Sequence, residues 1–207
     1  MHIIKIIPTL EDIKAITSAR SILFDMDGTL VNTEPLHAKA LLNTLQELSP
    51  KRNFIIEELH QMFHGQGDND VYKALETELS VSFDDFLTIK NKYFIKSISE
   101  SERILRPEIT SLLEQLKKES YKIALVTASE KSAALCILEK ENLKKYFDII
   151  LTREDSSETK PSPRPYLDAI EKLNIKKEDA FIFEDSETGI QAAIESKINY
   201  AVANWFI

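Results

Sequence analysis

The sequence predicts an α/β fold, a Rossmann-like parallel sheet core carrying an inserted α-helical domain. Three observations predict it. Short apolar runs alternate with amphipathic helical periods along the second half of the chain, the pattern of a parallel sheet covered by helices on both faces. About eighty residues lie between Gly28, just after the first core strand, and Glu108, too many for a simple crossover loop, and they read as helical. The chain has 207 residues, 43% hydrophobic and 29% charged, enough for one large domain or one domain with an insertion.

The elements follow in order. Residues 1–20 form an extension with a short helix from Leu10 to Ala19. The apolar runs Ser21–Asp25, Lys122–Thr127, Phe147–Leu151, Ala180–Glu184 and Tyr200–Ala203 read as strands. Helical periods cover Glu108–Glu119, Glu130–Lys140, Tyr166–Leu173 and Glu187–Glu195. The inserted segment holds Glu34–Leu48, Ile55–Phe63, Asn69–Leu79 and Phe83–Ile98, separated by Pro50, the Gly65–Gly67 pair and Ser80–Ser82. Thr33 reads as the N-cap of its first helix, with Pro35 in the first turn. The expected domains are a core from residues 1–33 and 105–207, and a helical insertion from 34–104.

Charge and composition exclude several classes. The net charge is −8, which opposes nucleic acid and anionic membranes, so no nucleic-acid partner is expected. No apolar run approaches the ~18 residues of a membrane span. The N-terminal run His2–Ile7 is broken by Lys5 and lacks a cleavage site, so a cytoplasmic protein is expected. Cys136 is the single cysteine, which excludes an intrachain disulfide and a thiolate zinc cluster. It is expected in the core.

In a parallel sheet, ligands bind beyond the carboxyl ends of the strands. The first core strand ends in Asp25-Met26-Asp27-Gly28-Thr29. Asp-Gly alone is common turn chemistry, but acids on this spacing at a buried strand end need cation or hydrogen-bond partners. The second strand ends in Val126-Thr127-Ala128-Ser129. Thr127 offers a hydroxyl to an anion, and Ser129 reads as a helix cap. After the third strand, Lys160 precedes three prolines in five residues, a stiff segment that would place its charge. A solvated loop lysine is the alternative. The fourth strand ends in Glu184-Asp185-Ser186. Adjacent acids suit a hard cation; capping by Asp185 or Ser186 is the other reading. Carboxylates gathered in one cleft repel each other unless a divalent cation is present, and Mg²⁺ also neutralises a phosphate. The set points to Mg²⁺-dependent phosphoryl transfer through an aspartyl phosphate.

These residues resemble the haloacid dehalogenase-like superfamily, in its phosphatase and beta-phosphoglucomutase-like branch. The resemblance runs from about Ser21 to Asn204 and includes the family's four motifs in order: Asp25–Thr29, Thr127, Lys160 and Glu184-Asp185. It implies Asp25 as nucleophile and Asp27 as general acid, then base. It implies Thr127 and Lys160 as phosphate holders. The implied metal set is Asp25, Asp27 through its backbone carbonyl, Glu184 and Asp185. The helical insertion would be the family's cap. His37 lies where some relatives link cap closure to the general acid; a place on the helix face is the alternative. His64 and Gly65 fall in the family's substrate-specificity loop, where plain turn structure is the other reading.

The chain also departs from the family. Asp68 stands near a position where some mutases carry an arginine, Glu108 follows Pro107 where glycine is usual, and Ser196-Lys197 replaces Ala-Gly. Trp205 and Phe206 either cover a sheet edge or form a contact. The implied function is a Mg²⁺-dependent phosphatase of a small phosphorylated metabolite. A sugar-phosphate mutase and a non-catalytic binding protein on the same fold are the alternatives.

Overall fold

The computed structural model describes residues 2–63, 67–77 and 79–206. His64 and Gly65 therefore lie outside the described residues. By compactness the chain divides into two units, residues 1–32 with 103–207, and residues 33–102.

The first unit is built on a sheet of β1 (His2–Ile4), β2 (Ser21–Phe24), β3 (Lys122–Val126), β4 (Ile149–Leu151), β5 (Ala180–Glu184) and β6 (Asn199–Ala203). The spatial order is β1-β6-β5-β2-β3-β4, and every neighbouring pair is parallel. β2 and β5 are buried at each residue, as central strands covered on both faces must be, which explains the apolar runs Ile22–Phe24 and Ala180–Phe183 within them. From β2 the chain steps to β3 and β4 on one side, then returns to place β5 on the other side of β2. That reversal opens a crevice beyond the carboxyl ends of β2, β3 and β5. Register makes the crevice a single site: Phe24 pairs with Leu125 and with Phe183.

Helices α1 (Leu10–Ile16), α6 (Pro107–Lys118), α7 (Lys131–Lys140), α8 (Arg164–Leu173) and α9 (Glu187–Ser196) belong to this unit. Leu23, Ala124, Val126 and Ile182 of the sheet share one buried cluster with Tyr166, Ala169, Ile170 and Ala192 of α8 and α9. Cys136 is half-buried on the flank of α7, short of the full burial expected. The buried stripe of that helix is Ala133, Ala134, Ile137 and Leu138.

Two features of the extension differ from expectation. His2–Ile4 is a strand, paired with β6 from His2–Ala201 to Ile4–Ala203. Helix α1 stops at Ile16, where Thr17 turns extended and its N–H bonds Ile13 O. The helix begins with a capping box between Thr9 and Asp12.

The second unit contains α2 (Glu34–Leu48), α3 (Ile56–Phe63), α4 (Asp68–Leu75) and α5 (Phe83–Glu100). They share a core of Leu41, Leu45, Phe54, Leu59, Phe63, Val71, Leu75, Leu79 and Phe86. Helix α4 ends a turn sooner than its periodicity suggests, although Leu79 N–H still reaches Leu75 O. Thr33 occupies the N-cap of α2 but gives no side-chain cap bond.

Candidate active site

Asp25 leaves β2 with its N–H on Phe183 O at 3.0 Å, so it sits in register beside Glu184. Its side chain is buried against Lys160, with Nζ 2.6 Å from Asp25 Oδ1. The same Nζ lies 2.5 Å from Glu184 Oε1 and 2.9 Å from Val126 O. Lys160 thus uses its three donors on groups from β2, β3 and β5, and it is itself buried. It is no solvated loop lysine. Burial opposes its charge, but the carboxylates of Asp25 and Glu184 outweigh that and hold the ammonium well above its usual range.

Glu184 is fully buried and occupied at both oxygens. Oε1 accepts from Lys160 and, at 3.0 Å, from the Tyr166 hydroxyl. Oε2 accepts the N–H groups of Asp185 and Ser186 at 2.9 and 3.1 Å. Gly189 on α9 makes room for this carboxylate: a Cβ there would lie 1.7 Å from Glu184 Oε1. Ser186 is the N-cap of α9, its hydroxyl taking Gly189 N–H at 3.1 Å, so Asp185 is left for other work.

Asp185 accepts the Thr29 hydroxyl at 2.9 Å through Oδ1. The turn that carries Thr29 is left-handed at Gly28, with φ +79°. A Cβ at Gly28 would stand 2.0 Å from Asp185 Oδ2, so glycine is demanded twice over.

Asp27 sits two residues beyond Asp25. Its Oδ2 takes the Ser129 hydroxyl at 2.6 Å and the Thr127 hydroxyl at 3.4 Å, the latter a long contact. Ser129 does not cap α7, contrary to the sequence reading. Its hydroxyl is committed to Asp27, and Glu154 caps instead, accepting Lys131 N–H at 3.0 Å.

Asp25, Glu184 and Asp185 each place a carboxylate oxygen within 4.8 Å of the others. Burial pushes the Asp25 carboxyl well above the usual range; Lys160 opposes this, and the charges of Glu184 and Asp185 add to it. Burial, then the Glu184 charge, pushes Asp185 up to about 7. Two buried acids and a half-buried third facing one lysine are short of positive charge, which a divalent cation with a preference for oxygen would supply. The donor set therefore fits Mg²⁺.

His37 stacks on Phe94 within the second unit, ring centroids 3.9 Å apart. That contact gives it a place on a helix face. Tyr166, Thr29 and Ser129 are site residues whose contacts sequence reasoning missed. Thr29 and Ser129 at least stand inside the strand-end strings; Tyr166 gives no signal beyond its place after the prolines.

The profile of the haloacid dehalogenase-like hydrolase family matches residues 22–203. The chain belongs to this family. It is 32% identical over 191 residues to the phosphoglycolate phosphatase of Aquifex aeolicus, covering 90% of this chain and 85% of that one. It is 30% identical over 175 residues to a phosphorylated carbohydrates phosphatase of Thermotoga maritima, covering 84% and 79%. Among solved structures, a CbbY variant from Rhodobacter sphaeroides in complex with xylulose-(1,5)bisphosphate superposes with a TM-score of 0.76 at 26% identity, covering 89% of this chain and 85% of that one. The matched span contains all four strand-end motifs, so the family's fold and the sheet described above coincide. Among the described residues no helix is long and apolar enough to cross a membrane.

Proposed function

We propose that this family member is a Mg²⁺-dependent phosphatase that hydrolyses a small-molecule phosphomonoester through an aspartyl phosphate on Asp25. One observation carries the reading. A buried aspartate at the end of the central strand is paired with a buried lysine, and a second aspartate two residues on is held apart from that pair by Ser129 and Thr127. The two acids are thus in different environments, the arrangement that lets one ionise as nucleophile while the other carries a proton. Relatives named as phosphatases of phosphoglycolate and of phosphorylated carbohydrates support the substrate class.

The chain's residues divide the work as follows. Lys160 opposes the burial that raises the Asp25 carboxyl, aligns that carboxyl, and balances charge as the phosphoryl group arrives. Asp25 attacks phosphorus, the bond to the substrate oxygen breaks, and Asp27 donates its proton to that oxygen. The alcohol leaves. Asp27, now a base, takes a proton from water as the water attacks the phosphorus of the aspartyl phosphate. Inorganic phosphate leaves and Asp25 is restored. Thr127 binds phosphoryl oxygen. Asp25, Asp185 and the carbonyl of Asp27 would hold Mg²⁺, with the occupied carboxylate of Glu184 behind them; when bound, the cation offsets the charge of the carboxylates and the phosphoryl group. Glu184 serves equally as an anchor, because it ties Lys160, Tyr166 and the start of α9 together. The helical unit is proposed as a cap that closes once substrate is bound and excludes water until chemistry begins.

The test is phosphate release from phosphoglycolate and a panel of sugar phosphates, with Mg²⁺ and with chelator. The proposal expects release with Mg²⁺ alone. Release unaffected by chelator, or an isomerised sugar phosphate in place of free phosphate, contradicts it.

A further inference from the structure

Trp205 is the single tryptophan of the chain and follows β6. It is 3% exposed. Its ring packs on Phe183 at 5.9 Å between centroids, and Phe183 stacks on Phe24 at 5.3 Å. Those two phenylalanines immediately precede Glu184 and Asp25. The indole N–H donates to Thr29 O at 2.9 Å, a bond between residues 176 positions apart. Thr29 is fully buried, and its hydroxyl donates to Asp185 Oδ1 at 2.9 Å. A continuous path therefore runs from the indole, through one residue, to a carboxylate of the acid cluster.

The Thr29 turn is the same one that carries Asp27 and Gly28. Locally it is closed by Gly28 N–H on Val31 O and Leu30 N–H on Met26 O, both at 2.8 Å. These bonds shape the turn but do not attach it to the β5 side of the site. The Trp205 and Thr29 bonds do. A buried indole N–H requires an acceptor, so the contact is directional as well as space-filling.

We propose that Trp205 is a positioning residue for the divalent-cation site: it holds the Thr29 turn so that the Thr29 hydroxyl orients Asp185 toward the cation. This rests on the metal-site reading above. Groups that orient metal ligands from behind affect metal affinity without touching the ion.

The experiment measures Mg²⁺ affinity without turnover, from the rise of the melting temperature with MgCl₂. Trp205→Phe keeps the ring packing and removes the N–H; it should raise the Kd for Mg²⁺ about 3- to 10-fold, as expected for one buried hydrogen bond. Thr29→Val removes the next link and should raise it about tenfold or more. The double variant should bind no more weakly than Thr29→Val alone, because both substitutions cut one path. A Trp205→Phe protein that melts earlier but keeps the wild-type Kd would show a purely structural role and overturn the proposal, as would additive effects in the double variant. A second measurement needs no variant. Trp205 emission in the wild type should change with the same Kd as the melting shift, and unchanged emission at saturating Mg²⁺ contradicts the link. A wild-type protein whose melting ignores Mg²⁺ overturns the metal-site reading and this proposal with it.

Discussion

Lys160 Nζ lies 2.6 Å from Asp25 Oδ1 and joins that carboxylate to Glu184 on the neighbouring strand. Because the lysine and both acids are buried, the pairing sets the charge state of the whole strand-end cluster. Lys160→Met would leave two buried carboxylates without their shared cation. Loss of one partner from a buried ion pair costs about 3–5 kcal/mol. Chemical denaturation should show a loss of that size in metal-free protein, and phosphate release should fall at least about a hundredfold.

Ser129 makes a different kind of contribution. Its 2.6 Å bond to Asp27 orients the proposed acid–base group, while the start of α7 is capped by Glu154. Ser129→Ala should therefore lower kcat about tenfold and leave the denaturation midpoint almost unchanged. A helix cap would show the reverse, about 1 kcal/mol of stability lost with kcat preserved.

Asp185 supplies a pH signature. Burial, then the charge of Glu184, raises its carboxyl to about 7 in the folded protein. Between the ordinary aspartate range and that value, the folded state holds a proton that the unfolded chain has released. Stability is therefore full at low pH and lost as pH rises toward about 7. Melting curves in chelator should fall across that window. Saturating Mg²⁺ should remove most of the loss, because the cation replaces the proton. Asp185→Asn should flatten the slope in chelator.

Much of this site was legible in the sequence because its residues lie in short strings at strand ends. Asp25-Met26-Asp27-Gly28-Thr29 and Glu184-Asp185-Ser186 announce themselves by acids placed where a buried strand stops. The buried strands were equally plain, since β2 carries the apolar run Ile22–Phe24 and β5 the apolar run Ala180–Phe183. What escaped was tertiary partnership. Ser129 has the sequence signature of a cap, but a carboxylate from another strand claims its hydroxyl. Trp205 sits among residues with no motif, and only the return of β6 beside β5 brings it to Thr29. His2–Ile4 is too short to register as a strand; it becomes one because β6 offers an edge.

The central claim is that Asp25 becomes phosphorylated, and it can be tested at the residue itself. The enzyme would be quenched during turnover of a good substrate with Mg²⁺, and treated with borohydride, which reduces an acyl phosphate to an alcohol. Peptide mass spectrometry then reads position 25. The account predicts homoserine in place of aspartate at Asp25 in the presence of substrate alone, with Asp25→Asn inactive. Sustained phosphate release with Asp25 unmodified, or undiminished turnover by Asp25→Asn, would contradict it.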